Sequence, residues 1–553
     1  MSDLCPQPLS VSLALLLGLG CTGEFSDPLL GPSGGGGPGP QPGITEPGSE
    51  NLRAPLRRLT RAEFNNTVRD LFGDETSPGD ALPADELGNG FGNDADALSV
   101  SILLVEQYAT VAEGIAERAS TPAKLAEWSD CALSVAADTE EECARSILAA
   151  LLPRAFRRAV DPIEIDELIA LRTALRPDST FEESMAGVIE AIVQSPDFLY
   201  RPEFGVPSGE ARRPTGDEMA TRLSYFLWAT MPDEALSAAA AAGELDTPAG
   251  VRAQAERMLV DPRSRPVIRK FFDAFLRIGG VAQAERSSEE FPDYTPEIGA
   301  LMREETHQLI EHVIFDGAGD WPTLLTSSFT FVNEPLASFY GIDGITGTEF
   351  QRVDFNDQRR GVLLQGAFLT ASTHSNTTSP VKRGGFIARE LLCQTIPFPE
   401  GDIAEEVTPP DPYMGDTARD RYSQHSSDPV CAGCHQYMDP AGFALENFDA
   451  VGRWRDTEND VTIDARGSVP TTDIEVNGPV ELVQAIAQTR EVNDCFAHHF
   501  MNYAYGRSLS DSEDAVLAAA IEEAFAESGF SIRELILALT QTQNFLALPA
   551  ELE

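Results

Sequence analysis

The sequence predicts a mainly α protein made of several packed helical modules, with a few short strands. Ser/Thr-x-x-Glu capping boxes, which satisfy two backbone donors at a helix start, recur along the chain. They begin at Thr60, Thr180, Thr215 and Ser531. From Met185, apolar residues follow at i+3, i+4, i+7 and i+8, which is the stripe that a helix buries against a core. Strand patterns are confined to short pieces such as 461–469.

The length and charge of the chain limit what it can be. A chain of 553 residues is longer than a domain with a single hydrophobic core usually is, so we expect several modules. Its 88 Asp and Glu against 40 Lys and Arg give a formal net charge of -48, which repels phosphate backbones and anionic membranes. We therefore expect no nucleic-acid partner. We interpret the acidity as a well-hydrated surface, with docking to a basic redox partner as the alternative.

The N-terminal segment has the features of an export signal. Residues 9–20 form an apolar run that is too short to span a bilayer and is typical of a signal peptide. Small residues directly before Cys21 resemble the bacterial lipobox, in which the cysteine is lipidated. Gly18 replaces the usual Leu of that motif and no Lys or Arg precedes the run, so plain secretion is the alternative.

These features predict how the start of the chain is organised. We expect a signal peptide with lipobox over 1–21 and a flexible Gly/Pro-rich linker over 22–50. No later segment has the length of a membrane span, so membrane contact is expected only through the lipid on Cys21. The protein would be lipid-anchored in the periplasm or at the cell surface.

Breaks rich in proline, glycine or acidic residues divide the rest of the chain. They lie at 76–92, 201–216, 341–347 and 397–412. None is a long disordered linker, so we expect helical modules that pack closely against one another.

One motif carries recognisable chemistry. Cys431-Ala-Gly-Cys434-His435 is the c-type haem attachment pattern. Two cysteines three residues apart on a helical turn can form thioethers to the two vinyl groups at one porphyrin edge, and the adjacent histidine then binds the iron. A zinc half-site would need two more clustered ligands and a redox dithiol would need a βαβ setting, and the sequence suggests neither. We predict one covalent haem c per chain.

The remaining cysteines form an even set. One cysteine belongs to the signal, Cys21 to the lipid and two to the haem, which leaves four that an exported protein would pair. The closeness of Cys131 and Cys143 in sequence predicts one disulfide. Cys393 and Cys495 would form the second, which would clasp the segment before the haem motif to the helices after it. Free buried cysteines are the alternative for this second pair.

The second axial ligand decides between electron transfer and catalysis, because a strong ligand blocks the position that a substrate would need. Met438 follows His435 by three residues and would lie on the proximal side, so we exclude it. His425, six residues before the attachment turn, and His374, in a Ser/Thr-rich loop, are the leading candidates. The remaining histidines of interest are His498 and His499, expected at a helix interface, and His307 and His312, expected at the surface.

Residues near the motif suggest how a haem would be held. Asp439-Pro440 is expected to end the attachment turn. Arg383, Arg453 and Arg455 are candidates for binding the haem propionates, because a guanidinium matches a carboxylate bidentately. Surface salt bridges are the alternative for these arginines.

Several runs of the sequence resemble a known family, the large exported proteins of planctomycetes and myxobacteria that are built from cytochrome-associated domains of unknown function. The matching runs stand at 56–72, 155–158 with 195–200, 222–228, 379–384 with 431–453, and 503–507. A visible departure is Ala159, where the family usually has Pro. The resemblance implies domains of unknown function 1587, 1595, 1592, 1588 and 1585 in this order.

The same resemblance implies five modules after the linker. They are an N-terminal helical module at 52–120, a second helical module at 140–205, a large helical module at 212–342, a cytochrome c-like haem module at 355–455 and a C-terminal helical module at 468–547.

The functional expectation is a mono-haem protein with an electron-transfer or redox role at the cell envelope. A haem enzyme, peroxidase-like or oxygen-activating, that acts on extracellular polymers is the first alternative. A binding or structural protein with a stabilising haem is the second. Signatures of Ser-His-Asp hydrolases, glycosidases and nucleotide-binding loops do not stand out in the sequence.

Overall fold

The computed structural model describes residues 52–396, 415–427, 429–510 and 512–551, without the side chains of 424–427, 429 and 430. The predicted signal peptide, Cys21, the linker and the break at 397–412 lie outside the described residues. The predicted mainly helical class with a few short strands is confirmed.

The first group of helices builds an N-terminal core. It comprises Arg61–Phe72, Ile102–Ala119, Pro122–Ala126, Glu140–Phe156, Pro162–Leu175, Phe181–Gln194 and Pro196–Leu199. Burial follows the predicted periodicity, because every member of the stripe that starts at Met185 is at most 1% exposed. Tyr225 and Met231, which come later in the chain, also pack into this core.

The second group of helices packs around a larger core, to which all of them except Ala418–Ser427 contribute described buried side chains. It comprises Gly216–Trp228, Glu234–Ala241, Pro248–Val260, Ser264–Phe275, Pro296–Glu311, Trp321–Thr326, Glu334–Tyr340, Gly366–Ala371, Pro380–Phe386, Ala418–Ser427, Pro429–Phe443, Pro479–Gln488, Arg490–Tyr505, Ala515–Glu527, Ile532–Leu539 and Gln543–Leu546. Two π turns extend helices of this group, at His312–Asp316 and Ile387–Leu391. Short 3-10 turns lie at Pro78–Ala81, Asp130–Leu133, Arg176–Asp178, Glu244–Asp246, Val281–Gln283 and Val362–Leu364.

Every described strand belongs to a two-stranded antiparallel pair. The pairs are Arg57–Arg58 with Tyr200–Arg201, Val206–Ser208 with Ala211–Arg213, Phe329–Val332 with Gln351–Asp354, Thr457–Glu458 with Val461–Thr462, and Arg466–Ser468 with Glu475–Asn477. The strand pattern predicted over 461–469 is therefore split between two different pairs.

Helix starts follow the capping chemistry of the sequence. The boxes at Thr60, Thr180 and Thr215 are complete, with both the side-chain and the backbone hydrogen bond present. At Ser531 the hydroxyl accepts from the Glu534 backbone, which is the side-chain half of the box. Asp161 opens a further box that the Thr/Ser pattern did not include.

An aromatic cluster fixes the helix Arg490–Tyr505, named here the cysteine helix because it carries Cys495. Phe496 stacks on Trp321, with ring centroids 4.3 Å apart, and Phe500 lies 4.4 Å from Phe271. Such contacts fix the rotation of the helix about its own axis. They therefore determine which of its side chains face the neighbouring segments.

Across the described residues, we find no helix that combines the length and the apolar character required to cross a membrane.

Candidate functional site

The helix Pro429–Phe443, named here the attachment helix, carries the Cys-x-x-Cys-His motif. Cys431 and Cys434 are separated by one turn and lie on one side of the helix, and both are partly exposed. Neither belongs to the two disulfides of the described chain. The helix runs through Pro440, so the expectation that Asp439-Pro440 ends the turn is wrong.

The imidazole of His435 is held by a carboxylate one turn further along the attachment helix. Nδ1 of His435 lies 3.0 Å from each oxygen of Asp439. The Asp439 side chain is 3% exposed and the His435 side chain 17% exposed. A carboxylate on one ring nitrogen fixes the tautomer and makes the other nitrogen a more basic metal ligand. This contact was not predicted from the sequence, although the i, i+4 spacing of Asp439 from His435 was visible.

A close crossing of two helices supports the attachment helix. A Cβ on Gly384, in the helix Pro380–Phe386, would collide with the carbonyl oxygen of Met438, and one on Gly442 would collide with the carbonyl oxygen of Pro380. Only glycine permits this approach. Cys434 and Val381 pack beside it against a small apolar cluster formed by Ala388, Ile396 and Met438.

A chain of alternating charges lies beside this crossing. Arg421 binds Glu458 at 2.7 Å, Arg455 lies 3.4 Å from Glu458 and 2.9 Å from Glu446, and Arg383 lies 3.7 Å from Glu446. Burial raises the pKa of Glu446, while Arg383 and Arg455 act to lower it. These ion pairs connect the helix Ala418–Ser427 to the segment that follows the attachment helix.

Arg383 is engaged by the main chain. Its side chain is fully buried and donates to the carbonyl oxygens of Leu445 at 3.1 Å, Phe448 at 2.8 Å and Asp449 at 2.8 Å. Burial lowers its pKa to about 10. These contacts stabilise the turn after the attachment helix through the two terminal nitrogens of Arg383. Its role in binding a propionate stays a prediction.

The other two predicted propionate ligands form ion pairs within the protein. Arg453 contacts Asp449 at 3.2 Å and Asp293 at 3.8 Å, and its side chain is 32% exposed. Arg455 belongs to the charge chain through Glu446 and Glu458. Both arginines make salt bridges within the protein, and their binding of haem propionates stays a prediction.

Of the two candidates for the second axial ligand, the structure describes the side chain of His374 but not that of His425. His374 is half-buried, and its backbone N–H donates to the Thr377 carbonyl at 3.1 Å. Burial and the charges of Lys382 and Arg286 lower the pKa of its imidazole. His425 belongs to the helix Ala418–Ser427, but its side chain lies outside the described residues. The second ligand therefore stays a prediction.

The remaining histidines fall into two environments. His307 is 5% exposed, and its Nε2 lies 2.8 Å from Asp273, so the expectation of a surface position is wrong for this residue. His312 is partly exposed between the rings of Phe329 and Phe331. In the cysteine helix, burial lowers the pKa of His499 to about 4, which leaves its ring neutral at pH 7.

The four paired cysteines are joined as two disulfides. Cys131 and Cys143 have Cα atoms 5.7 Å apart and belong to the N-terminal core. Cys393 and Cys495 have Cα atoms 5.5 Å apart across 102 residues of sequence. The second disulfide ties the segment after the π turn Ile387–Leu391 to the cysteine helix.

The arrangement suits a c-type haem. The cysteines share one side of a helix and are partly exposed, and the carboxylate of Asp439 meets Nδ1 of His435, so iron would bind through Nε2. Thioether formation would use Cys431 and Cys434, and the acid partner would keep the histidine oriented.

Comparisons with known proteins identify the domains but no relative of known activity. Five family models match the chain, each described as a protein of unknown function. The matches are DUF1587 at 57–121, DUF1595 at 143–203, DUF1592 at 215–342, DUF1588 at 359–458 and DUF1585 at 473–545. No curated protein and no solved structure is significantly similar to the chain. The five domains follow one another in the order that the sequence suggests, so the chain belongs to the multidomain family built from them.

Proposed function

We propose that this protein carries one covalent haem c and transfers electrons at the cell envelope. The observation that carries the proposal is the attachment helix, with two partly exposed cysteines one turn apart and a histidine held by a buried carboxylate at 3.0 Å. Cys431 and Cys434 would form the thioethers, and His435 would bind the iron.

The chain's own residues would tune this site. A bound haem supplies one-electron chemistry, and the protein controls its axial ligand and surroundings. Asp439 holds a proton on Nδ1 of His435 and orients the ring. Because the carboxylate would make His435 a stronger donor to iron, it would favour oxidised iron over reduced iron.

The location and partner follow from the N-terminus and the charge. Cys21 would carry the lipid that anchors the protein in the periplasm or at the cell surface, after removal of residues 1–20. The formal net charge of -48 makes the surface well hydrated, and a redox partner with a basic docking surface is the alternative use of this charge. In a Cys21→Ser variant the protein should be released from the membrane fraction; retention there would contradict the anchor.

The attachment proposal is tested by expression with a c-type haem maturation apparatus. The wild-type chain should retain haem after denaturation, while Cys431→Ala/Cys434→Ala should lose it. Cys131→Ala/Cys143→Ala is the matched control, because it also removes two cysteines and should keep the haem. Equal haem staining of all three chains would refute the proposal.

Spectra distinguish electron transfer from catalysis. If a strong second ligand fills the sixth position, carbon monoxide should leave the spectrum of the reduced protein unchanged. A carbon monoxide complex would instead indicate an open position and favour the haem-enzyme alternative. Substitution of His374 or His425 should convert the iron to a high-spin form only for the residue that binds it.

A further inference from the structure

A second group of ligand-type side chains lies away from the haem motif, at the end of the segment after Ile387–Leu391. The sulfurs of Cys393 and Cys495 and a ring nitrogen of His499 all lie within 4.8 Å of one another. His499 follows Cys495 by four residues, so the cysteine helix presents both on one face. Two cysteines and a histidine at this separation can surround one metal ion.

A further observation points to a ligand at this group. Nε2 of His499 is buried and makes no hydrogen bond of normal geometry in the described part of the chain, although buried ring nitrogens normally do. The Glu390 backbone lies close enough to the ring to raise its pKa against the larger effect of burial. The nearest carboxylate oxygen, in Glu390, lies 3.8 Å away and belongs to a side chain that also pairs with Arg277.

The group is reachable from solvent on two sides. Cys393 is exposed, while Cys495 is buried. Glu390 and His499 line a cleft of about 1350 Å³, which also borders Phe275 and Arg277. A small dithiol can therefore approach the sulfur of Cys393, and an ion can enter from the cleft.

We propose that Cys393, Cys495 and His499 form a redox-gated zinc site that is closed while the disulfide is intact. An external dithiol supplies two electrons and two protons, so it becomes a disulfide while the Cys393–Cys495 bond breaks into two thiols. Zinc then displaces both thiol protons to solvent and binds the two thiolates and the imidazole of His499. The fourth position faces the cleft and takes water.

The charges of the group suit a divalent ion. Two thiolates neutralise Zn²⁺, and His499 contributes no charge because its imidazole is neutral. Glu390 keeps its pairing with Arg277, so no additional buried charge has to be compensated. The soft sulfur ligands favour zinc over magnesium or calcium, which prefer oxygen.

Native mass spectrometry of the full chain tests the proposal. The protein is treated with a dithiol without oxygen, freed of reductant, mixed with zinc and desalted. The reduced chain should hold one zinc ion more than the untreated chain. Cys393→Ala and His499→Gln should lose that ion, while His498→Gln and Cys131→Ala/Cys143→Ala should keep it.

The experiment is run on haem-loaded protein and on Cys431→Ala/Cys434→Ala, so its result does not depend on haem attachment. No gain of zinc on reduction, or an equal gain in His499→Gln and His498→Gln, would overturn the site. Circular dichroism checks the fold of each reduced chain. If reduction alone melts helices, their recovery with zinc in the wild type but not in His499→Gln supports the site, and recovery in neither contradicts it.

Discussion

At the scale of single residues, we predict from the contact of Asp439 with His435 how a substitution changes the reduction potential of the proposed haem. Asp439→Asn keeps the size of the side chain but removes its charge. Loss of such a carboxylate partner typically lowers metal affinity by at least tenfold. If the affinity for oxidised iron falls tenfold relative to the affinity for reduced iron, the one-electron reduction potential rises by about 59 mV. Asp473→Asn, at an exposed turn, removes the same charge and should leave the potential nearly unchanged. A spectroelectrochemical titration measures both.

Glu305 predicts a pH dependence of stability. The side chain is fully buried, accepts hydrogen bonds from Thr330 and Tyr340 at 2.8 Å each, and has a pKa raised to about 7 by burial. The folded protein keeps this proton at a pH where the unfolded chain has lost it. Glu305 should therefore lower stability progressively as pH rises from about 4.5 to 7, by roughly 3 kcal/mol at most.

Glu305→Gln isolates this contribution. The variant cannot ionise, so its urea midpoint should exceed that of the wild type near pH 8 and approach it near pH 4.5. The difference between the two chains is the informative quantity, because the other titrating groups are shared. A difference that does not change with pH would contradict the assignment.

Side-chain roles could be predicted where they depend on neighbours in sequence. The disulfide between Cys131 and Cys143 needed only their spacing. The disulfide between Cys393 and Cys495 is distant in sequence and followed from the even count of the remaining cysteines. Haem attachment at Cys431 and Cys434 stays a prediction. Arg383 could not be assigned in this way, because the carbonyls that it contacts follow it by more than 60 residues. His307 was misjudged for the same reason, since its partner Asp273 comes from another helix.

At the scale of elements, we predict from the helix crossing at Gly384 that a larger residue there lowers the stability of the protein. Gly384→Ala would place a Cβ against the Met438 carbonyl and push the two helices apart, at a typical cost of about 1–3 kcal/mol. Gly433→Ala is the matched control, because that glycine lies inside the attachment helix with open space around its Cβ position. It should be neutral or stabilise by up to about 1 kcal/mol. Thermal unfolding followed by circular dichroism compares them, and equal effects would contradict the crossing.

Elements themselves were visible in the sequence to different degrees. Capping boxes marked the starts at Thr60, Thr180 and Thr215, because the chemistry of a helix start is local. Pro440 was a misleading signal, since the helix tolerates it in its last turn and ends at Phe443. Two of the described strand pairs are hairpins with two-residue turns. In the other three pairs the strands are separated by six residues or more, and local rules do not identify such partners.

At the scale of the whole molecule, the helices pack around two main hydrophobic cores. Each of the two described disulfides lies in or beside a different core. Cys143 is buried in the N-terminal core, whereas Cys495 lies on a helix whose aromatic side chains belong to the larger core. The sequence suggested several modules from length and breaks. It could not show that the helices between 216 and 546, apart from Ala418–Ser427, contribute to one core, because that depends on contacts between distant segments.

The two disulfides should therefore differ in what their removal costs. In the chain-entropy description, a disulfide stabilises by restricting the unfolded chain, more so for longer loops. The loop between Cys393 and Cys495 spans 102 residues and that between Cys131 and Cys143 spans 12. Replacement of each pair by alanine should cost about 4.7 kcal/mol for the long loop and about 3 kcal/mol for the short one. Calorimetry under oxidising conditions measures both losses, and a larger loss for the short loop would show that native contacts, not chain entropy, determine the effect.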